Sequence, residues 1–98
     1  MKFVILVDFT DKARQDPKSM EDLAARMSAG AKSMGGTIEH RYWGIGGSHD
    51  IVVVLDAPDG DTAAKLVTKG MMSGNAVAKI MRVWSDEERA EIVKAAAG

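Results

Sequence analysis

An α+β fold with one four-stranded antiparallel sheet is predicted by three observations. Two short runs read as strands with apolar residues on both faces; two longer stretches repeat apolar residues every three or four positions; and the two kinds of segment alternate as βαββαβ. The clearest run is Ile51 to Asp56, IVVVLD, with five apolar residues of which four are β-branched. Ala57-Pro58-Asp59-Gly60 ends it abruptly. Ile51, Val53 and Leu55 take one face and Val52 and Val54 the other, so cover is expected above and below.

Lys2 to Phe9 is the second such run, with Phe3, Ile5, Val7 and Phe9 alternating with Val4 and Leu6, and it belongs in the middle of a sheet. A polar stretch from Thr10 to Lys18 follows. Asp16 is a cap for the first helix with Pro17 in its first turn, and Ser19 is the competing cap. Met20, Leu23, Ala24, Met27, Ala31 and Met34 draw one apolar stripe down that helix, which Gly35-Gly36 ends.

Thr37 to Trp43 places Ile38, His40 and Tyr42 on one face and Thr37, Glu39, Arg41 and Trp43 on the other, a mixed polarity that suits an edge strand. Gly44-Ile45-Gly46-Gly47-Ser48 makes the hairpin into residues 50 to 56. Asp59 or Asp61 caps the second helix, whose apolar side is Ala63, Leu66, Val67, Gly70 and Met71, and Ser73-Gly74-Asn75 is its exit. Ala76 to Trp84 is the fourth strand. Ser85 and Glu88 form a capping box for a short terminal helix whose buried side is expected to be Ile92, Val93 and Ala96.

This order gives the ferredoxin-like arrangement: an antiparallel sheet of order 4-1-3-2 with two helices on one face, plus a short C-terminal helix. Two helices cover only one face. The other is expected to be covered by a second copy, making a homo-oligomer packed through its sheet. The competing cover is the terminal helix, but about 12 residues are too few for a sheet roughly 20 Å wide.

Ninety-eight residues make a single domain, 1–98, burying about 60 to 65% of the unfolded chain's surface. A formal net charge of -1 removes the long-range attraction that nucleic acid or anionic lipid would need, so neither is an expected partner. Cysteine is absent, which excludes disulfides, thiolate metal sites and cysteine nucleophiles. Charged Asp8, Asp11 and Lys12 interrupt the apolar amino terminus before it resembles a signal peptide, and no segment reaches the roughly 18 to 20 apolar residues that span a bilayer. A cytoplasmic protein is expected.

The string from Tyr42 through Asp59, a Gly-turn, an Asp before a β-branched run and then DAPD, resembles the GYD-domain family. Val7 to Asp11 (VDFTD), Gly35-Gly36 and Ser73-Gly74-Asn75 match as well, so the resemblance covers nearly the whole chain. It departs at one place. Where the family has Gly, a variable residue, Tyr and Asp, this chain has Gly46-Gly47-Ser48-His49-Asp50, so that His49 stands for the Tyr and the connection is one residue longer. The resemblance implies a fold of the dimeric α/β-barrel type, with sheets packed face to face, and no established activity.

Polar residues on or beside the strands supply the candidate chemistry. His40, His49, Asp50 and Tyr42 are the catalytic candidates, and Asp8, His40, Tyr42, Trp43, Arg82 and Trp84 the ligand-binding ones. A His beside a carboxylate serves as a general base, yet His49 and Asp50, as neighbours on a strand, point to opposite faces. His40 and His49 with Asp50 or Glu39 match no ligand spacing, so no metal is expected. The glycines at 44 to 47 lie between strands and lack the helix terminus and the Lys of a phosphate loop. The methionines read as adaptable core filling rather than a copper site. No motif calls for a cofactor. Trp43 and Trp84, at strand ends, suit a subunit contact or a pocket mouth.

Two functions compete. The first is a homo-oligomer that binds a small apolar or aromatic molecule between sheet and helices, or acts as an assembly module; it requires an apolar pocket without a converging acid-base pair. The alternative, by fold analogy, is a cofactor-independent enzyme, such as a monooxygenase or isomerase, in which His40, His49, Tyr42 or Asp8 converge in that cavity.

Overall fold

A computed structural model describes residues 1–98. The chain runs β1 (Lys2–Phe9), α1 (Asp11–Arg14), α2 (Pro17–Ser33), β2 (Thr37–Trp43), β3 (Ile51–Asp56), α3 (Gly60–Met72), β4 (Ala76–Val83) and α4 (Asp86–Ala97). The strands form one antiparallel sheet in the order β2-β3-β1-β4, which is the expected 4-1-3-2 seen from its other edge. Polypeptide connections place β1 and β3 at the centre because each must exclude water from an apolar face. Phe3, Ile5, Val7 and Phe9 of β1 and Ile51, Val53 and Leu55 of β3 are all buried, paired Phe3 with Leu55, Ile5 with Val53 and Val7 with Ile51.

Helices α2 and α3 close over this face. Leu23, Ala24 and Ala31 of α2 and Ala63, Leu66 and Val67 of α3 supply their buried residues, which are the stripes read from the sequence. Asp16 caps α2, its carboxylate accepting from the Lys18 amide at 3.2 Å; Ser19 lies inside the helix and does not cap it. Asp59 caps α3, accepting from the Thr62 amide at 2.7 Å, and Asp61 sits in the first turn. Gly35, at φ 83°, takes the left-handed conformation that ends α2. Gly36 then passes so close to β3 that a β-carbon there would stand 2.9 Å from the Asp56 carbonyl oxygen.

Within the polar stretch after β1, Thr10 caps a short helix, α1, whose Ala13 is fully buried. Three expectations need correction. The fourth strand ends at Val83, so Trp84 lies beyond it. In β2 a bulge between Ile38 and His40 breaks the alternation, so Ile38 pairs with Leu55 and packs on the core while His40 and Tyr42 pair with Val54 and Val52 on the opposite face. Finally, α4 has no buried residue; Ile92 is 50% and Val93 49% exposed.

The face away from α2 and α3 is therefore uncovered. It carries Val4 and Leu6 of β1, Val52 and Val54 of β3, His40 and Tyr42 of β2, and Val77 and Met81 of β4, the last two more than half exposed. The capping box at Ser85 and Glu88 starts α4, and an ion pair from Arg82 to Glu88 at 3.2 Å fixes its first turn to β4. No helix is long and apolar enough to cross a membrane.

The close passage at Gly36 is testable by urea denaturation. Gly36→Ala is expected to cost about 1 to 3 kcal/mol, because backbone on two elements must shift, whereas Gly60→Ala, whose added β-carbon meets nothing, changes stability by less than about 0.5 kcal/mol.

Candidate functional site

Asp8, His49, His40 and Tyr42 lie on the uncovered face of the sheet, and an apolar cavity lies under the helices on the other. On the uncovered face, Asp8 is the last but one residue of β1 and the loop after β2 returns His49 to it, with Nδ1 of His49 3.1 Å from Oδ2 of Asp8. The partner of His49 is thus the distant Asp8 rather than its neighbour Asp50. A carboxylate at Nδ1 favours the tautomer that leaves Nε2 free as an acceptor, which is the arrangement a general base needs. His49 is only 25% exposed, so the ring is held by its surroundings.

Asp50 turns the other way and has a structural job. One of its oxygens accepts from the Phe9 amide at 2.8 Å and from the Arg14 guanidinium at 3.0 Å, so a single carboxylate joins the end of β1, the start of β3 and helix α1. The Phe9 amide, followed by Arg14, holds the Asp50 carboxyl below its ordinary range despite the opposing effect of partial burial. Gly46, at φ 74°, and a hydrogen bond from the Gly44 amide to the Asp50 carbonyl at 2.9 Å shape the loop that presents His49.

The remaining candidates are dispersed. His40 and Tyr42 stack at 6.1 Å on the β2 edge of the uncovered face. Trp43 lies on the helix side against Phe9, ring centres 6.1 Å apart. Arg82 is sandwiched near Phe3 and Trp84, 4.8 Å from the Trp84 ring, and with Glu88 it forms the β4–α4 joint. No group of three His, Asp or Glu side chains converges as a metal site would require.

On the covered face, a cavity of about 570 Å³ opens between α2, α3 and the sheet. Its floor is Ile5 and Val7 of β1 with Ala76 and Ala78 of β4; Leu23, Met27 and Gly30 wall it on α2, and Leu66, Val67 and Gly70 on α3. Eleven of its 17 lining residues are hydrophobic, and none is His, Asp, Glu or Tyr. None of the predicted site residues lines it. The physical origin of the space is size: Gly70, Ala76 and Ala78 sit where larger side chains would fill the seam between helices and sheet. Gly30 brings α2 against Leu66, 3.1 Å from where its β-carbon would be, while a β-carbon at Gly70 would meet nothing. A second depression of about 490 Å³ beside β2 includes His40 but has one hydrophobic residue among its eight.

Fold and cavity together define a small α+β protein with one four-stranded antiparallel sheet and an apolar chamber beneath its helices. The family model of the GYD domain matches residues 3–93, and the chain belongs to the GYD domain family. No curated protein matched the sequence.

The lowered pKa of Asp50 makes its contribution to stability pH-dependent. That contribution is complete above the ordinary carboxyl pKa near 3.9 and is lost as pH falls through the depressed folded value. Asp50→Ala, which deprives the Phe9 amide and Arg14 of their acceptor, is expected to lower stability by about 1 to 2 kcal/mol at pH 7, a deficit that narrows below about pH 4; thermal melts of both proteins from pH 7 to pH 2 measure it.

Proposed function

We propose that this protein binds a small, largely apolar molecule in the cavity between α2, α3 and the sheet, and that it does so as a cytoplasmic homo-oligomer joined through the uncovered sheet face. The observation that carries the first half is the cavity itself: about 570 Å³, within the size range of small-molecule sites, walled mainly by aliphatic side chains and Met, and lacking an acid-base pair. Met27, Met71 and Met72 suit it to ligands of more than one shape. The second half is supported by the row of Val4, Leu6, Val52 and Val54, an apolar band that no element of the same chain covers. Sheet packing and ligand binding use opposite faces, so each is open to test alone.

Gly70 offers the test of binding. Gly70 lines the cavity and a β-carbon there meets nothing within 4 Å, so Gly70→Leu is expected to take up part of the chamber; it also removes a helix glycine, a change worth about 0.5 to 1 kcal/mol in favour of folding. The variant is expected to melt no lower than the wild type and to bind N-phenylnaphthylamine, an uncharged apolar fluorophore, at least about tenfold more weakly. Unchanged affinity would exclude this cavity as the binding site. For assembly, Leu6→Lys with Val54→Lys places two charges on the sheet face and is expected to yield single chains in native mass spectrometry; an oligomer that survives both would sink sheet packing.

A second function is favoured by one observation, the His49–Asp8 pair at 3.1 Å. A cofactor-independent enzyme would place its substrate on the sheet face, where a packed second copy would shield the ring from water. His49→Ala would then lower turnover by more than about 100-fold with the fold intact, whereas a binding protein with its site under the helices would keep its affinity within a few-fold.

A further inference from the structure

We infer that the molecule held under the helices is an amphipathic anion, whose apolar body fills the cavity and whose carboxylate, sulfonate or phosphate group rests at the mouth between Arg26 of α2 and Lys69 of α3. This holds only if the cavity is the ligand site proposed above. Arg26 and Lys69 are the only charged residues of the lining, one from each helix, and both are solvent-exposed where the floor is buried. Neither makes an ion pair or a side-chain hydrogen bond, while Arg14, Arg41 and Arg82 are all engaged elsewhere. The chain as a whole carries a net charge of -1, so a mouth with two cations and no carboxylate is a local asymmetry and not a sign of a basic protein.

The other polar groups of the lining are already committed. The Ser33 hydroxyl donates to the Gly30 carbonyl at 2.9 Å, and the Ser73 hydroxyl donates to the Gly70 carbonyl at 2.7 Å and accepts from the Asn75 amide at 3.2 Å. Two carbonyls at the end of α3 are occupied too: Gly70 accepts from Ser73, and Met71 accepts from the Gly74 amide at 3.0 Å. Among the side chains of the lining, the donors left free for a ligand's polar end are those of Arg26 and Lys69, and both are positively charged. An uncharged ligand leaves them in water at no gain; a cationic one is repelled.

The test compares two fluorophores of one ring system on the full-length protein at low salt: anilinonaphthalene sulfonate, which carries the anion, and N-phenylnaphthylamine, which lacks it. The sulfonate is expected to bind about tenfold more tightly, and in the Arg26→Gln, Lys69→Gln double variant that advantage is expected to fall below about twofold while the uncharged probe keeps its affinity. Equal affinities in the wild type, or an advantage that survives the double variant, would overturn the anionic head with the cavity still standing as a binding site. Failure of the uncharged probe to bind, or its indifference to Gly70→Leu, would instead remove the cavity site and the anion inference with it. Circular dichroism of each variant confirms that the fold is retained.

Discussion

The constraint on which this structure depends is the central pair of strands, β1 against β3, each apolar on both faces. On the helix side the pair is sealed: Ile5, Val7, Ile51, Val53 and Leu55 are each exposed by 2% or less. At about 25 cal/mol per Å² of apolar surface, such residues supply the principal drive for folding, and everything else attaches around them. Strand β2 extends the sheet from β3 and β4 extends it from β1. Both crossovers, α2 and α3, fall on one side, so the same two-faced strands that require cover on both sides receive it on only one.

That imbalance produces two surfaces of different chemistry. Under the helices, small residues at Gly70, Ala76 and Ala78 leave space unfilled, a chamber whose lining charges are both positive. On the far face, the Val and Leu rows lie open beside the His49–Asp8 pair. The two do not communicate through a shared residue among those described above. Ile5 and Val7 line the chamber, whereas Val4, Leu6 and Asp8 face outward, and one residue of register separates the two sets.

Asp50 links fold to site. By accepting from Phe9 and Arg14 it fixes the place where β3 begins, and the residue before it, His49, is thereby aimed at the uncovered face. In the family resemblance His49 stands where a Tyr is usual, next to an Asp that is kept. The geometry separates the two roles: the kept Asp braces the backbone, and the exchanged residue meets Asp8. A change at His49 thus alters the surface without disturbing the brace.

The sequence by itself determined the four strands, the three longer helices, their order and the sheet's topology, but not the four-residue helix α1, because periods of two and of three to four report directly which face a segment buries and α1 is too short to show one. Capping was legible to within two neighbouring candidates, Asp16 or Ser19 and Asp59 or Asp61, and outright at Ser85, because a cap bonds to its own next turn, a local event; the structure chose Asp16 and Asp59. It also determined family membership. Only the tertiary structure decided what depends on distance across the fold: the bulge that separates Ile38 from His40, the choice of Asp8 rather than Asp50 as the partner of His49, and the exposure of α4. The cavity belongs here too. A glycine within a helix stripe reads only as a weak helix former, and no pattern in the sequence singles out Arg26 or Lys69. Their meaning arises where two helices and a sheet fail to fill the space between them, and that volume is a property of three elements at once.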